Sequence, residues 1–315
     1  MTGIESVAAG LTMKAADEAV KAGKNAGQTK REVRKLEQQA LVEAAKETPG
    51  FKQAAEIRGR KIALKEQWGL ALMKPLSGVM GISREYFESD FSKDFGEKLV
   101  DVPEENLQTP KASIAGPAME GLGYSLEEPE LKNMYLELLA RAADDRVSTT
   151  AHPSFVQTIR QLTAEEAAYL PILLKSPTHP TAIVQYRAQF IPEDAGHGYN
   201  LIRSHVLNLT NNGALFDNPM LPTYVDNWVR LKLVEVAYDV NLTDPVAYEW
   251  EKFRPEREAA QKQVDEMLST EVVADFASRG VSGLELVAQR GVLSATSLGY
   301  QFAVASGIVE ANPRV

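Results

Sequence analysis

Arg146 and His152 are the two residues whose types and spacing could do chemistry, separated by five residues in R-V-S-T-T-A-H. An imidazole that titrates near neutrality can take and return a proton, and a guanidinium beside it can stabilise the charge of a phosphorane. The pair would therefore suit attack by a ribose hydroxyl on a phosphodiester. The same residues have plainer duties: Arg146 is a cation near a helix C-terminus, and His152 precedes a proline, which disfavours the α conformation at His152 itself. Other chemistry is scarce. The histidines at 152, 179, 197 and 205 form no ligand pattern, and the chain has no phosphate loop, dinucleotide fingerprint or nucleophile elbow. Glu165 and Glu166 are adjacent, so on a helix they point apart; they read as a capping residue beside a solvated acid. With no cysteine, thiolate zinc sites, disulfides and cysteine nucleophiles are excluded. No metal and no cofactor is expected.

The elements that must position Arg146 and His152 are three closely joined helices. Leu131, Met134, Tyr135, Leu138, Leu139 and Ala142 recur at three- and four-residue spacing and make one apolar stripe. Ser125 and Glu128 stand at capping-box spacing, and Pro129 is tolerable in a first helical turn. Asp144, Asp145 and Arg146 end the stripe, and a break is expected at His152. Pro153 then opens a short helix with Phe155, Val156, Ile159 and Leu162 on one face. Thr163 and Glu166 repeat the capping-box spacing ahead of Ala167, Leu170 and Leu174, which predicts a third helix with almost no linker.

The first helix reads E-L-x-x-M-Y-x-x-L-L-A-x-A from Glu130 to Ala142, and A-H-P-S-F-V-x-x-I-x-Q-L-T-x-x-E-A follows from Ala151 to Ala167. This combination resembles the bacterial abortive-infection alpha (Abi-alpha) family. The residues that carry it are Glu130, Leu131, Tyr135, Leu138, Leu139, His152, Pro153, Phe155, Gln161, Leu162 and Glu166. A thinner likeness runs upstream to Pro110 and reappears in R-G-V-L-S-A-T-S-L-G-Y-Q-F from Arg290 to Phe302. Ala305 and Ser306 stand where many relatives carry cysteine. The resemblance implies phage defence by abortive infection, with a phage-encoded trigger as one partner; it supplies no established catalytic residue. The spacing of Arg146 and His152 also resembles the R-x4-6-H signature of small helical ribonucleases frequent in abortive systems.

The chain is electrically lopsided. Its net charge is −9, yet residues 1–65 hold 13 Lys and Arg against 8 Asp and Glu, so that section is +5 and the remainder −14. The basic N-terminal section is rich in helix formers with few large apolar residues before Leu36, which predicts a helical arm that buries little of itself and depends on a partner or a second copy. Residues 57–81 turn apolar around Trp68 but are interrupted by Lys74-Pro75, too short and broken for a span of about 20 residues. Two roles remain for them: an interfacial helix on an anionic membrane, or a helix packed on protein. No signal peptide is recognisable, so the expected location is cytoplasmic, with peripheral contact at the inner membrane through residues 57–81 as the second expectation.

The C-terminal third changes character. Thr181 to Phe190 is β-branched and aromatic enough for a strand, and His205 to Leu209 is a second candidate. Asn218-Pro219 opens a helix with Leu221, Val225, Trp228 and Val229, leading into the alternating L-V-E-V-A-Y-D-V. A helical stretch from Pro245 to about Ser278 bends near Arg254-Pro255, and a hairpin is expected around Gln289-Arg290-Gly291, before Thr296 caps a last helix. This order resembles a winged helix, with Arg230 and Lys232 on the recognition helix and Arg290 at the wing tip as the nucleic-acid contacts. Residues 178–310 hold 10 basic and 17 acidic side chains, however, so protein docking, not nucleic acid, is the expected use.

The expected fold is mainly α, in three parts: a basic helical region over 1–100, a compact helical core with the family motif over 101–177, and a winged-helix-like α+β domain over 178–315. The expected function is a phage-defence protein that works through protein interaction or homo-oligomeric assembly. A nucleic-acid-binding regulator, a ribonuclease using Arg146 and His152, and a membrane-associated effector are the alternatives.

Overall fold

Aromatic residues spaced at four and recurring on one face explain the first described helices, α1 (Arg84–Ser89) and α2 (Phe91–Lys98). Phe87, Phe91 and Phe95 are buried, and the Phe91 and Phe95 rings stack with centroids 5.3 Å apart. The computed structural model describes residues 84–175, 178–191, 198–211, 214–269 and 280–309. Of these, 85–101 belong to one compact unit, and 84 and 102–309 to another. The readings made above for the basic arm and for residues 57–81 lie outside the described residues.

The second unit begins with α3 (Ala112–Tyr124), α4 (Pro129–Ala143), α5 (Ser154–Arg160) and α6 (Ala164–Leu173). The apolar stripe of α4 is buried along its length, and α4 packs on α3, α5 and α6. Its start differs from the expected capping box: Pro129 is the first helical residue, Glu128 the cap, and no side chain bonds there, because Ser125 already closes α3. The break falls where expected, with Pro153 the cap of α5. The Thr163/Glu166 capping box is formed: Glu166 N donates to Thr163 Oγ1 at 3.1 Å and Thr163 N to Glu166 Oε2 at 2.8 Å.

The rest is mixed helix and strand. β1 (Thr181–Ile191), β2 (Tyr199–Val206), β5 (Val234–Ala237) and β6 (Gly283–Ala295) make an antiparallel sheet in the order β2-β1-β6-β5, and β3 (Thr210–Asn211) pairs with β4 (Ala214–Leu215) separately. Alternation places Ala182, Val184, Tyr186 and Ala188 of β1 on one face, where Leu284 and Leu286 of β6, Tyr248, and Ala260 and Val264 of helix α8 (Pro255–Ser269) complete a core. α7 (Leu221–Arg230) lies against both edge strands, β2 and β5, and buries Leu221, Val225 and Trp228. The last helix, α9 (Ser297–Ala305), is capped by Thr296, as its sequence predicts.

Three expectations are corrected. Residues 283–295 are one strand, not a hairpin, because β1 is eleven residues long and pairs with β6 throughout, from Thr181 with Leu293 to Ile191 with Gly283. Arg290 therefore sits in mid-sheet opposite Val184 and not at the tip of a wing. The second strand runs over 199–206, so only its end overlaps the segment His205 to Leu209. The helical stretch expected from Pro245 begins as a 3-10 helix, Pro245–Phe253, started by the Asp244 side chain, which accepts from Val246 N at 2.9 Å; Arg254 then breaks the path at the expected place.

Candidate functional site

The junction between α4 and α5 holds Arg146 and His152, and each is bonded to a near neighbour. Arg146 Nε and Nη2 donate to the two oxygens of Asp144 at 2.8 and 2.6 Å, and Asp144 is itself buried. That fork raises the Arg146 pKa further above its usual value, mainly through the hydrogen bond to Asp144. Exposed His152 turns its Nδ1 onto the first turn of α5, accepting from Ser154 N at 3.2 Å and lying 2.7 Å from Ser154 Oγ. From the position before the N-cap Pro153, the imidazole satisfies an amide that the helix leaves without a partner. No hydrogen bond joins Arg146 to His152.

Two polar residues of the family motif, Gln161 and Glu166, and Glu165 beside them are engaged by α7 and its approach. Buried Glu166, besides closing its capping box, accepts from Asn227 Nδ2 at 2.7 Å, and Asn227 also donates to the Gln161 carbonyl at 2.9 Å. Arg230 Nη1 donates to Gln161 Oε1 at 2.8 Å. Glu165, expected as a merely solvated acid, accepts from Tyr224 OH at 2.6 Å and from Asn218 Nδ2 at 3.0 Å. Its hydrogen bond pushes Tyr224 up to about 12. The two glutamates do point apart, as adjacent helical residues must, and each finds a separate anchor on the α7 side. The apolar motif residues Leu131, Tyr135, Leu138, Leu139, Phe155 and Leu162 are buried, while Glu130 and Pro153 are exposed at helix starts. Phe155 meets Phe302 of α9 edge to face at 5.6 Å.

A second polar centre closes the open side of the curled sheet. His205, at the end of β2, has a left-handed φ of 53°, uncommon for any residue but glycine. Its ring reaches Asp226 of α7 through Nε2 at 3.2 Å and the Tyr238 hydroxyl, just past β5, through Nδ1 at 3.1 Å. The neutral tautomer with its proton on Nε2 satisfies both, donating to Asp226 and accepting from Tyr238. The His205 amide also donates to the Tyr238 oxygen at 3.3 Å. Burial lowers the His205 pKa, opposed by Asp226, and burial raises that of Tyr238. A chain of contacts continues across the sheet: Gln289 of β6 donates to the Tyr238 carbonyl at 2.9 Å and accepts from Arg187 of β1 at 3.3 Å, and Arg187 lies 4.0 Å over the Tyr199 ring.

The three residues expected to meet nucleic acid are not one surface. Arg230 is engaged by Asn227 and Gln161, whereas exposed Lys232 ends α7 with a left-handed φ of 58°. Arg290 lies 5.0 Å over the Tyr248 ring on the core face. It is five residues along β6 from Ala295, which pairs with Val234, hence about 16 Å of strand from the α7 end. Elsewhere Arg254 is wholly buried, its Nε on Glu256 at 2.9 Å and its Nη atoms donating to the carbonyls of Leu209 and Phe216, both at 2.7 Å. Glu256, with Arg203, Asp217 and Gln263, lines a small open cleft of about 110 Å³. Asp226 and Tyr238 are not legible as partners of His205 in the sequence, nor Asn218 as a partner of Glu165 or Asn227 as a partner of Glu166, since these pairs lie 21, 33, 53 and 61 residues apart. Among the described residues no group of three or more His, Asp or Glu is placed to hold a metal ion, and no helix is long and apolar enough to cross a membrane.

A helical core whose motif residues Gln161 and Glu166 bind α7, which in turn packs on the edge strands of a four-stranded antiparallel sheet, defines the class of this protein. The family model described as abortive infection alpha matches residues 83–306, and the chain belongs to that family. Membership implies a role in abortive-infection phage defence. No curated protein and no solved structure matches the chain.

Proposed function

We propose that this protein serves abortive-infection defence in the cytoplasm through protein contact, with a second copy or a phage-encoded trigger, and not through chemistry at its motif. The observation that carries this reading is the occupation of the candidate pair Arg146 and His152 and of the motif's Gln161 and Glu166. Arg146 is held by Asp144, His152 by Ser154, and Gln161 and Glu166 by α7. A general acid or base must be able to reach the proton it moves, and an arginine that stabilises phosphorane charge needs free donors facing it. The acidic balance of residues 178–310 also favours a protein partner over nucleic acid.

Phage challenge of cells expressing the wild type or the Arg146→Gln/His152→Ala double variant tests the reading. Equal protection is expected. Protection lost by the double variant at normal abundance and with an intact circular-dichroism spectrum overturns it and points to ribonuclease chemistry, which cleavage assays on cellular RNA with the two purified proteins would then register.

A further inference from the structure

The sheet has two edges, and they are treated differently. Along β2 the pairing with β1 shifts register twice, between Val184 and Tyr186 and again before Arg187, so the strand bends and its outer edge is blunted. The short β5 offers only four residues. What joins these edges to one another is side-chain chemistry beneath α7: Asp226 from the helix, His205 from β2 and Tyr238 from the end of β5. The partners are 21 and 33 residues from His205 in sequence. Two features show that the contact is built in. His205 is held in a left-handed backbone conformation, which is strained and persists only where the surroundings hold it. Beneath the Tyr238 ring lies Gly291, where a Cβ would stand 2.5 Å from the ring and 2.6 Å from the Ala237 carbonyl oxygen. Only glycine lets the phenol cross β6 to reach the imidazole.

We propose that Asp226, His205 and Tyr238 form an acid-released latch, in which protonation of the imidazole loosens α7 and the end of β5 from β2. In the neutral ring Nδ1 accepts the Tyr238 proton. Once Nδ1 carries a proton of its own, the phenol must turn its hydrogen elsewhere, and its oxygen must accept from both Nδ1 and the His205 amide. The charges that face this group are few. Asp226 from α7 favours the imidazolium but is largely exposed and so screened. Tyr238 from the β5 end is neutral, Arg187 on β1 acts on Tyr238 as a cation, β6 contributes uncharged Gln289, and Arg203 on β2 is committed to Asp217 at 2.7 Å. Burial of the ring outweighs Asp226, so the latched pKa lies below the ordinary value of 6.5. The opened state then binds more protons, and the latch is at full strength above that ordinary value and weakens as the pH falls below it.

The latch rests on this geometry and on the burial of the His205 ring, and is independent of the defence reading. Its test is amide hydrogen exchange of the full chain, read on peptides covering β2 and β5 between about pH 8 and about pH 5 and corrected for intrinsic rates. Protection of both strands should fall several-fold on acidification while α4 holds its own. Asp226→Asn removes the charge that favours the imidazolium and should move the loss to lower pH. Tyr238→Phe removes the donor to the neutral ring and should move the His205 imidazole titration, followed by NMR, to higher pH. A wild type whose β2 and β5 protection ignores acid, or an acid response identical in wild type and Asp226→Asn, overturns the latch.

Discussion

His152 and His205 are both joined to a hydroxyl through Nδ1, but in different ways. The partner of His152 is Ser154, two residues away, and the bond trims the start of one helix. Those of His205 are 21 and 33 residues away, and they tie a helix to two strands. Arg146 repeats the first case with Asp144, and Asn227 repeats the second by reaching Gln161 and Glu166 across 66 and 61 residues. The lesson is energetic. A bond between near neighbours can survive in a partly folded chain, so breaking it changes the native and unfolded states together; a bond between distant segments exists only in the folded protein, and its loss falls wholly on folding.

Arg254 tests that comparison hardest, because its carboxylate partner Glu256 is two residues away while its other acceptors, the carbonyls of Phe216 and Leu209, are 38 and 45 away. Arg254→Ala leaves a buried carboxylate and two carbonyls without their cation, and should lower the unfolding free energy by about 3–5 kcal/mol in urea titration. A loss below about 1 kcal/mol would show that proximity in sequence, not burial, governs such pairs. Asn227→Ala removes two donors from the seam between α6 and α7 and should cost about 1–3 kcal/mol by the same measurement. His152→Ala, exposed and locally bonded, should cost no more than about 0.5 kcal/mol. If His152→Ala destabilised the protein as much as Asn227→Ala, the distinction between near and distant partners would fail.

Legibility from sequence follows the same division. The helices over 129–173 were readable because each rests on periodicity of 3.6, and the last of them also on caps three residues apart, Thr163 with Glu166. Ser125 misled because one residue can satisfy spacing for a start while serving as the end of the preceding helix. The hairpin at Gln289 to Gly291 failed for a different reason: glycine inside a strand reads as a turn, whereas Gly291 is there because Tyr238 crosses over it. Glu165 looked solvated until α7 brought Tyr224 and Asn218 to it.

The amino-acid sequence by itself determined the family, the helical core, the break at His152 and the absence of cysteine chemistry, since all of these depend on residue types and on spacings of a few positions. Tertiary structure alone decided that Glu165 meets Tyr224 and Asn218, that Arg290 lies in mid-sheet, and that Asp226, His205 and Tyr238 meet. Those outcomes depend on strand register and on how far the sheet curls. Both are set by the packing of many side chains at once, and no short window of sequence carries them.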